Sequence, residues 1–162
     1  MATAVLTGLR GGPAGASPCG VQAVNGVSSF TFDPDTVQEF RLWGQLPANF
    51  AGDLVAYIAY TMDDVSGGGN VNFEVAVMAV SEGDAADVDT DSFDTINDLV
   101  DAIPGGAGYL GVASVALTNA DNAAAGDWVQ FRFQRDADDG GTDDSATGLC
   151  EVRNFWITYT TT

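Results

Sequence analysis

The feature that most constrains this chain is an alternation of apolar and polar residues with period two, repeated along most of its length. In "WVQFRFQR", Val129, Phe131 and Phe133 fall on one side and Gln130, Arg132 and Gln134 on the other. Successive side chains of a β-strand point to opposite faces, so such a run buries one face and wets the other. "VQEFRLWGQLP" sets Phe40, Leu42 and Leu46 against Val37, Glu39, Arg41, Trp43 and Gln45, and Pro47 stops it. "DLVAYIAYTM" places Leu54, Ala56, Ile58, Tyr60 and Met62 opposite Val55, Tyr57, Ala59 and Thr61, and "VNFEVAVMAV" places Val71, Phe73, Val75 and Val77 opposite Asn72, Glu74, Ala76 and Met78. Between those two, "DDVSGGGN" is a turn of hairpin type. "GYLGVASVALT" continues the pattern, and the last run, "CEVRNFWITY", aligns Glu151, Arg153, Phe155, Ile157 and Tyr159 against Val152, Asn154, Trp156 and Thr158.

About six to eight short strands with Gly- and Asp-rich turns predict an all-β protein. Several strands are apolar on both faces and need cover on both, which favours an antiparallel β-sandwich of jelly-roll type over an open sheet. Two stretches suggest one or two short helices. "DTDSFDTINDLVDAIP" carries Phe93, Ile96, Leu99 and Val100 at helical spacing and ends at Pro104, and "TNADNAAAGD" has capping residues followed by Gly126. Residues 1–20 contain Gly11, Gly12, Pro13, Gly15, Pro18 and Gly20 and read as an extended N-terminal arm, with the jelly-roll domain spanning 21–162. A chain of 162 residues, 46% hydrophobic, suffices for one core.

Charge narrows the function. Twenty-three acids face five bases, for a net charge of −18, and all five bases are arginine: Arg10, Arg41, Arg132, Arg135 and Arg153. Binding to phosphate backbones or anionic lipid needs clustered Lys or Arg, so neither nucleic acid nor a membrane surface is an expected partner. Four of the twenty-three acids are glutamate, leaving nineteen aspartates. That usage suits a saline habitat and equally a turn-rich β protein, since Asp bonds its own backbone in turns. Histidine is absent, which removes the commonest general base and metal ligand. Cys19 and Cys150 form no zinc or CxxC spacing, and buried free thiols are the favoured reading over a disulfide between them. The start, "MATAVLTGLRGG", shows no secretory signal pattern. Glycoside hydrolysis needs two carboxylates and no histidine, but among nineteen aspartates chance pairs are unavoidable and nothing marks one acid as buried, so no enzymatic activity is expected.

Two acidic loops offer hard oxygen ligands. Asp87, Asp89 and Asp91 have the first three spacings of an EF-hand loop, which then fails at Ser92, Asp94 and Asp98. Asp136, Asp138, Asp139, Asp143 and Asp144 crowd the connection before the last strand, with Arg132 and Arg135 just upstream, so charge pairing there needs no metal. No cofactor is expected, and calcium is the one ion these loops could take; hydrated loops are the preferred reading of both. Trp43, Trp128 and Trp156 lie on strands, where they form either core and subunit contacts or a sugar-stacking platform.

"LWGQLPANFAGDLVAYIAYTM", "LTNADNAAAGDWVQFRFQRDADD" and "EVRNFWITY" together resemble the small acidic jelly-roll structural proteins of tailed bacteriophages, over about residues 37 to 160. The resemblance implies a virion protein assembled in host cytoplasm: a capsid decoration or cement protein, or a fibre part. It also implies a homo-oligomer, a trimer above all, bound to the major capsid protein or another virion protein. The arm would then grip neighbours and become ordered in the assembly. Candidate contacts are Leu6, Leu9, Arg10, Pro13 and Pro18 of the arm, with Trp43 and Trp156. The alternatives are a carbohydrate-binding or host-adhesion jelly-roll module, assisted by calcium or not, and an extracellular filament subunit.

Overall fold

The computed structural model describes residues 1–24, 26–137 and 143–162. Among them there are eleven strands: β1 (Ala2–Val5), β2 (Arg10–Pro13), β3 (Gly20–Val24), β4 (Val27–Phe32), β5 (Gln38–Gln45), β6 (Phe50–Met62), β7 (Asn70–Val80), β8 (Asn97–Ala102), β9 (Gly111–Ala116), β10 (Trp128–Arg135) and β11 (Cys150–Thr161). One sheet runs β3-β4-β11-β6-β9 and the other β2-β5-β10-β7-β8, and every ladder between these strands is antiparallel.

The eight strands from β4 onward identify the architecture. β4 pairs with β11, β5 with β10, β6 with β9 and β7 with β8. Those are the four rungs of one long hairpin folded about its middle. Rolling that hairpin adds the seams β11–β6 and β10–β7 and yields two packed sheets, which is a jelly roll. The sandwich expected from the alternation is therefore present. Phe40, Leu42, Leu46, Leu54, Ile58, Tyr60, Met62, Val129, Phe131 and Phe133 all point inward and are buried. Phe40 and Phe133 of the core pack against the half-buried Phe30 and Phe155, with Phe40 stacked on Phe155 at 4.9 Å. Tyr60 crosses from one sheet to the other, its hydroxyl donating to Asp101 at 2.7 Å; burial, then the carboxylate beside it, pushes its pKa up.

Three expectations are corrected. The two short helices are absent among the described residues. Residues 97–102 form β8 because Asn97, facing inward, donates through Nδ2 to the carbonyls of Val75 and Asn119 and accepts from the Asn119 N–H, which ties the segment to β7. In the second stretch Asp121 and Asn122 take left-handed φ values of 53° and 53°, and Asp127 accepts from the Ala124 N–H, so the chain turns without coiling. Residues 1–20, expected as an arm for a neighbour, lie on their own domain. β1 pairs with β11 and β2 with β5, and Leu6 enters the core while Leu9 packs against it. The glycines that suggested mobility permit close approach. A Cβ on Gly11 would collide with the Arg41 carbonyl oxygen and one on Gly20 with the Thr31 hydroxyl. Finally, a register shift between Val152 and Asn154 reverses the expected faces of β11, so that Cys150 and Val152 point inward first and Phe155, Ile157 and Tyr159 afterwards.

The inward parity of β10 continues past Phe133 to Arg135, which has no exposed surface. All five guanidinium donors are used. Nε and Nη2 donate to the two oxygens of Asp144, each at 2.8 Å, Nη2 donates also to the Ala146 carbonyl, and Nη1 donates to the carbonyls of Gly148 at 2.8 Å and Phe32 at 3.4 Å. Asp144 also accepts from the Asn72 N–H at 3.1 Å, so one ion pair ties β4, β7, β10 and the segment leading into β11. Cys19 and Cys150 are free and buried. Burial pushes each thiol up to about 12 from the ordinary value of 9.0.

Removing one partner of a buried ion pair strands the other charge. Asp144→Ala is therefore expected to lower the unfolding free energy by about 3–5 kcal/mol, measured by urea denaturation, and Arg135→Met with Asp144→Leu together to lower it by less than the single change. The buried thiols give a pH dependence of definite sign. Their pKa values are higher folded than unfolded, so their contribution is complete below about pH 9 and is lost as pH rises towards 12. Stability should fall over that window, and Cys19→Ala with Cys150→Ala should make the fall shallower.

Candidate functional site

The two sheets turn very different outer faces to solvent. On the β2-β5-β10-β7-β8 sheet, the outward positions of β5 are Glu39, Arg41, Trp43 and Gln45, and those of β10 are Trp128, Gln130, Arg132 and Gln134. Register places Trp43 between Arg10 of β2 and Gln130 of β10, with Arg41 and Gln45 two residues away along its own strand. Trp43 is 37% exposed, the largest exposure of any Trp, and Trp128 is the diagonal neighbour across the β5–β10 seam. A flat aromatic ring is thus surrounded by planar amides and guanidiniums on a grid whose cross-strand spacing is about 4.8 Å.

These side chains are held in place before any ligand arrives. Arg41 donates through Nε to Glu39 at 2.9 Å, forms an ion pair with it through Nη2 at 2.8 Å, and donates through Nη1 to Gln130 at 3.3 Å. Gln45 donates to the Gly126 carbonyl at 3.0 Å. Phe93, from the connection between β7 and β8, lies over this face with its ring centroid 5.2 Å from the Arg41 guanidinium carbon and 5.0 Å from that of Arg132. Nothing in the sequence pattern pairs Phe93 with these arginines, and a helix over 89–104 would group it with Ile96, Leu99 and Val100 instead.

The outer face of the other sheet is uncharged over three consecutive rows: Val5, Thr158, Val55 and Ala116; Trp156, Tyr57 and Ser114; Asn154, Ala59 and Val112. Trp156 stacks on Tyr57 at 5.0 Å, nearly parallel. The sequence leaves the three tryptophans as core and subunit contacts or as a platform; the fold divides them, Trp43 and Trp128 on one face and Trp156 on the opposite one.

A cleft of about 750 Å³ opens at one end of the sandwich, lined among others by Phe50, Asp53, Asp94, Asn119 and Asn122. Asp94 accepts from the N–H groups of Asp121 and Thr95, which hold its carboxyl below the ordinary range. An acid catalyst needs a carboxyl displaced upward, and Phe50, the one aromatic residue lining this cleft, is buried. The cleft offers polar contacts without a stacking surface.

The acidic loops come apart into distinct roles. Asp87 folds its own loop, accepting the Asp89 N–H on its carboxylate and the Thr90 and Asp91 N–H groups on its carbonyl, while Asp91 accepts from Ser92. Asp136 is half-buried and donates its N–H to the Asn72 carbonyl, Asp143 is exposed, and Asp138 and Asp139 lie outside the described residues. Asp144, expected as a hydrated calcium candidate, is instead the buried partner of Arg135. Among the described residues no three His, Cys, Asp or Glu side chains gather to hold a metal ion. Of the expected interface residues, Arg10, Pro13 and Pro18 are exposed, and Pro18 bridges to Glu39 in parallel.

No protein-family model and no curated protein matches the sequence. Among solved structures the chain is similar to a xylan-binding module, CBM15 (12% identity over 99% of this chain and 97% of that one, TM-score 0.49). It is similar also to CBM28, a carbohydrate-binding module specific for non-crystalline cellulose (12% identity, 90% and 85% covered, TM-score 0.49), and to the mannan-recognising module TmCBM27 (9% identity, 99% and 100% covered, TM-score 0.49). At such scores the fold rests on the strand order of this chain, and its function on its own side chains.

Proposed function

We propose that the chain is a non-catalytic carbohydrate-binding module whose binding face is the outer surface of the β2-β5-β10-β7-β8 sheet. The observation that carries this reading is Trp43, exposed on a rigid strand and flanked by Arg10, Gln130, Arg41 and Gln45. Sugars present apolar C–H faces and rims of hydroxyls; an indole ring accepts the first, and amides and guanidiniums pair with the second. Ion pairing and hydrogen bonding fix Arg41 in advance, so little side-chain entropy is lost on binding. Trp43→Ala should weaken retention on whichever polysaccharide the protein binds by about tenfold or more. The unfolding midpoint should move little, because the ring is outside the core; glycan-array and affinity-electrophoresis measurements on the two proteins check this.

A second reading keeps the homo-oligomer expected of a virion protein, and a different observation favours self-association. On a chain of net charge −18, copies repel one another except where they meet across an uncharged surface, and the rows around Trp156 and Tyr57 are such a surface. With β1 and β2 folded onto their own sheets, this face, rather than an arm, would make the contact between copies. Analytical ultracentrifugation should then show an oligomer that Tyr57→Glu converts to monomer, whereas a wild-type monomer at micromolar concentration removes this reading.

A further inference from the structure

We propose that the sugar bound on the Trp43 face carries an anionic group, a carboxylate or a sulfate ester, received by Arg10, Arg41 and Arg132; this rests on the carbohydrate reading above. The chain has five cationic side chains. Arg135 is consumed inside the sandwich by Asp144, and Arg153 is held on the opposite sheet by Glu151 and Thr61. The remaining three stand together on one face of an otherwise strongly acidic molecule.

Their arrangement is unfavourable without an anion. Arg41 and Arg132 are direct cross-strand partners, and like charges in that position destabilise a sheet. Glu39 offsets Arg41. Among the described residues Arg132 forms no ion pair, and its buried Nε has no hydrogen-bond partner. Arg10, exposed on the next strand beside Trp43, likewise has no ion pair among the described residues. The Phe93 ring lies over the guanidinium carbons of Arg41 and Arg132. Arg41 already gives donors on Nε, Nη1 and Nη2 to Glu39 and Gln130, so the N–H groups left for a ligand are its remaining Nη hydrogens and the Nη groups of Arg132, with the guanidinium of Arg10.

Other charges on this face set the orientation. Glu39, Glu74 and Asp98 all belong to the adjacent row, on either side of Gln134. An acidic sugar is therefore drawn to the Trp43 end and repelled from the Gln134 end. The long-range repulsion from a net charge of −18 is screened beyond about 8 Å at physiological salt, whereas contacts at hydrogen-bond distance are not.

The test uses matched polysaccharides at about 0.15 M salt, where the Debye length is about 8 Å: polygalacturonate against its methyl ester, and carrageenan against its desulfated form. In at least one pair the charged member should bind about tenfold more tightly than the neutral one. The pair that shows the preference distinguishes carboxylate from sulfate. Arg132→Gln should reduce the preference to about threefold or less. Arg10→Gln, at an exposed position that tolerates the change, should reduce it as well. Equal affinity within each pair, or a preference untouched by both substitutions, overturns the proposal and leaves a neutral-glycan module standing. Binding to none of the four overturns this proposal, and the glycan array then decides the carbohydrate reading by itself.

Discussion

A single buried guanidinium fixes how this sandwich closes. Arg135 lies where the inward row of β10 reaches the end of the core, and a charge there is tolerable only if every donor finds an acceptor. Asp144 and the carbonyls of Ala146, Gly148 and Phe32 meet that demand. Because those acceptors come from β4 and from the segment entering β11, satisfying the arginine also sets the position at which the last strand begins. Cys150 and Val152 then enter the core beside it, and β11 can run between β4 and β6 as the central strand of its sheet. An apolar residue at 135 would bury as well but would leave that segment free to slip, since hydrophobic contact has no direction.

The same node shows what could and could not be read from the sequence. The alternation in "WVQFRFQR" already assigned residues 129, 131 and 133 to the interior, and its extension by one step assigns Arg135 there too. A buried arginine requires an acid, and the aspartates that follow it supply one; which aspartate depends on how the loop returns, a long-range fact that periodicity does not contain. Residues 97–102 failed for a related reason. Their apolar spacing fits a helix, but the amide of Asn97 finds three backbone partners only in the strand arrangement, so tertiary hydrogen bonding overrides the local pattern. In β11 the alternation is real on either side of Arg153, yet one inserted residue exchanges the faces, and no residue type announces a bulge. Glycine misled most in residues 1–20, because the absence of a Cβ serves both flexible chain and chain pressed against a neighbouring strand.

The acidic composition has a local cause. At least ten aspartates accept backbone N–H groups: Asp33, Asp63, Asp64, Asp84, Asp87, Asp91, Asp94, Asp121, Asp127 and Asp144. A jelly roll of long strands has many connections and no helices to absorb their unpaired donors, and the short carboxylate of Asp reaches its own backbone where Glu is too long. Turn chemistry therefore accounts for much of the charge without invoking a ligand. It also separates the described members of the two acidic loops: the carboxylates of Asp87 and Asp91 accept from their own loop's backbone, and that of Asp144 is directed at the core.

What remains on the surface is divided by sheet. Inward side chains of β5 and β10 hold the two layers together, while their outward neighbours, one residue along, touch nothing in the core. Alternation thus separates the core from the outer face at single-residue resolution: Phe40 and Leu42 are fixed by packing, whereas Glu39, Arg41 and Trp43 between and beside them lie outside it, Glu39 and Arg41 paired with each other. A row of such positions on a stiff, twisted sheet presents a linear array rather than a point, and a linear array suits an extended polymer better than a small metabolite, which needs enclosure. The absence of histidine and of lysine has little effect on such a surface, because stacking, amide hydrogen bonds and guanidinium pairing require neither. Strand parity places three arginines and two tryptophans on one such face of a chain this acidic, and the proposed recognition rests on that placement and not on any pocket.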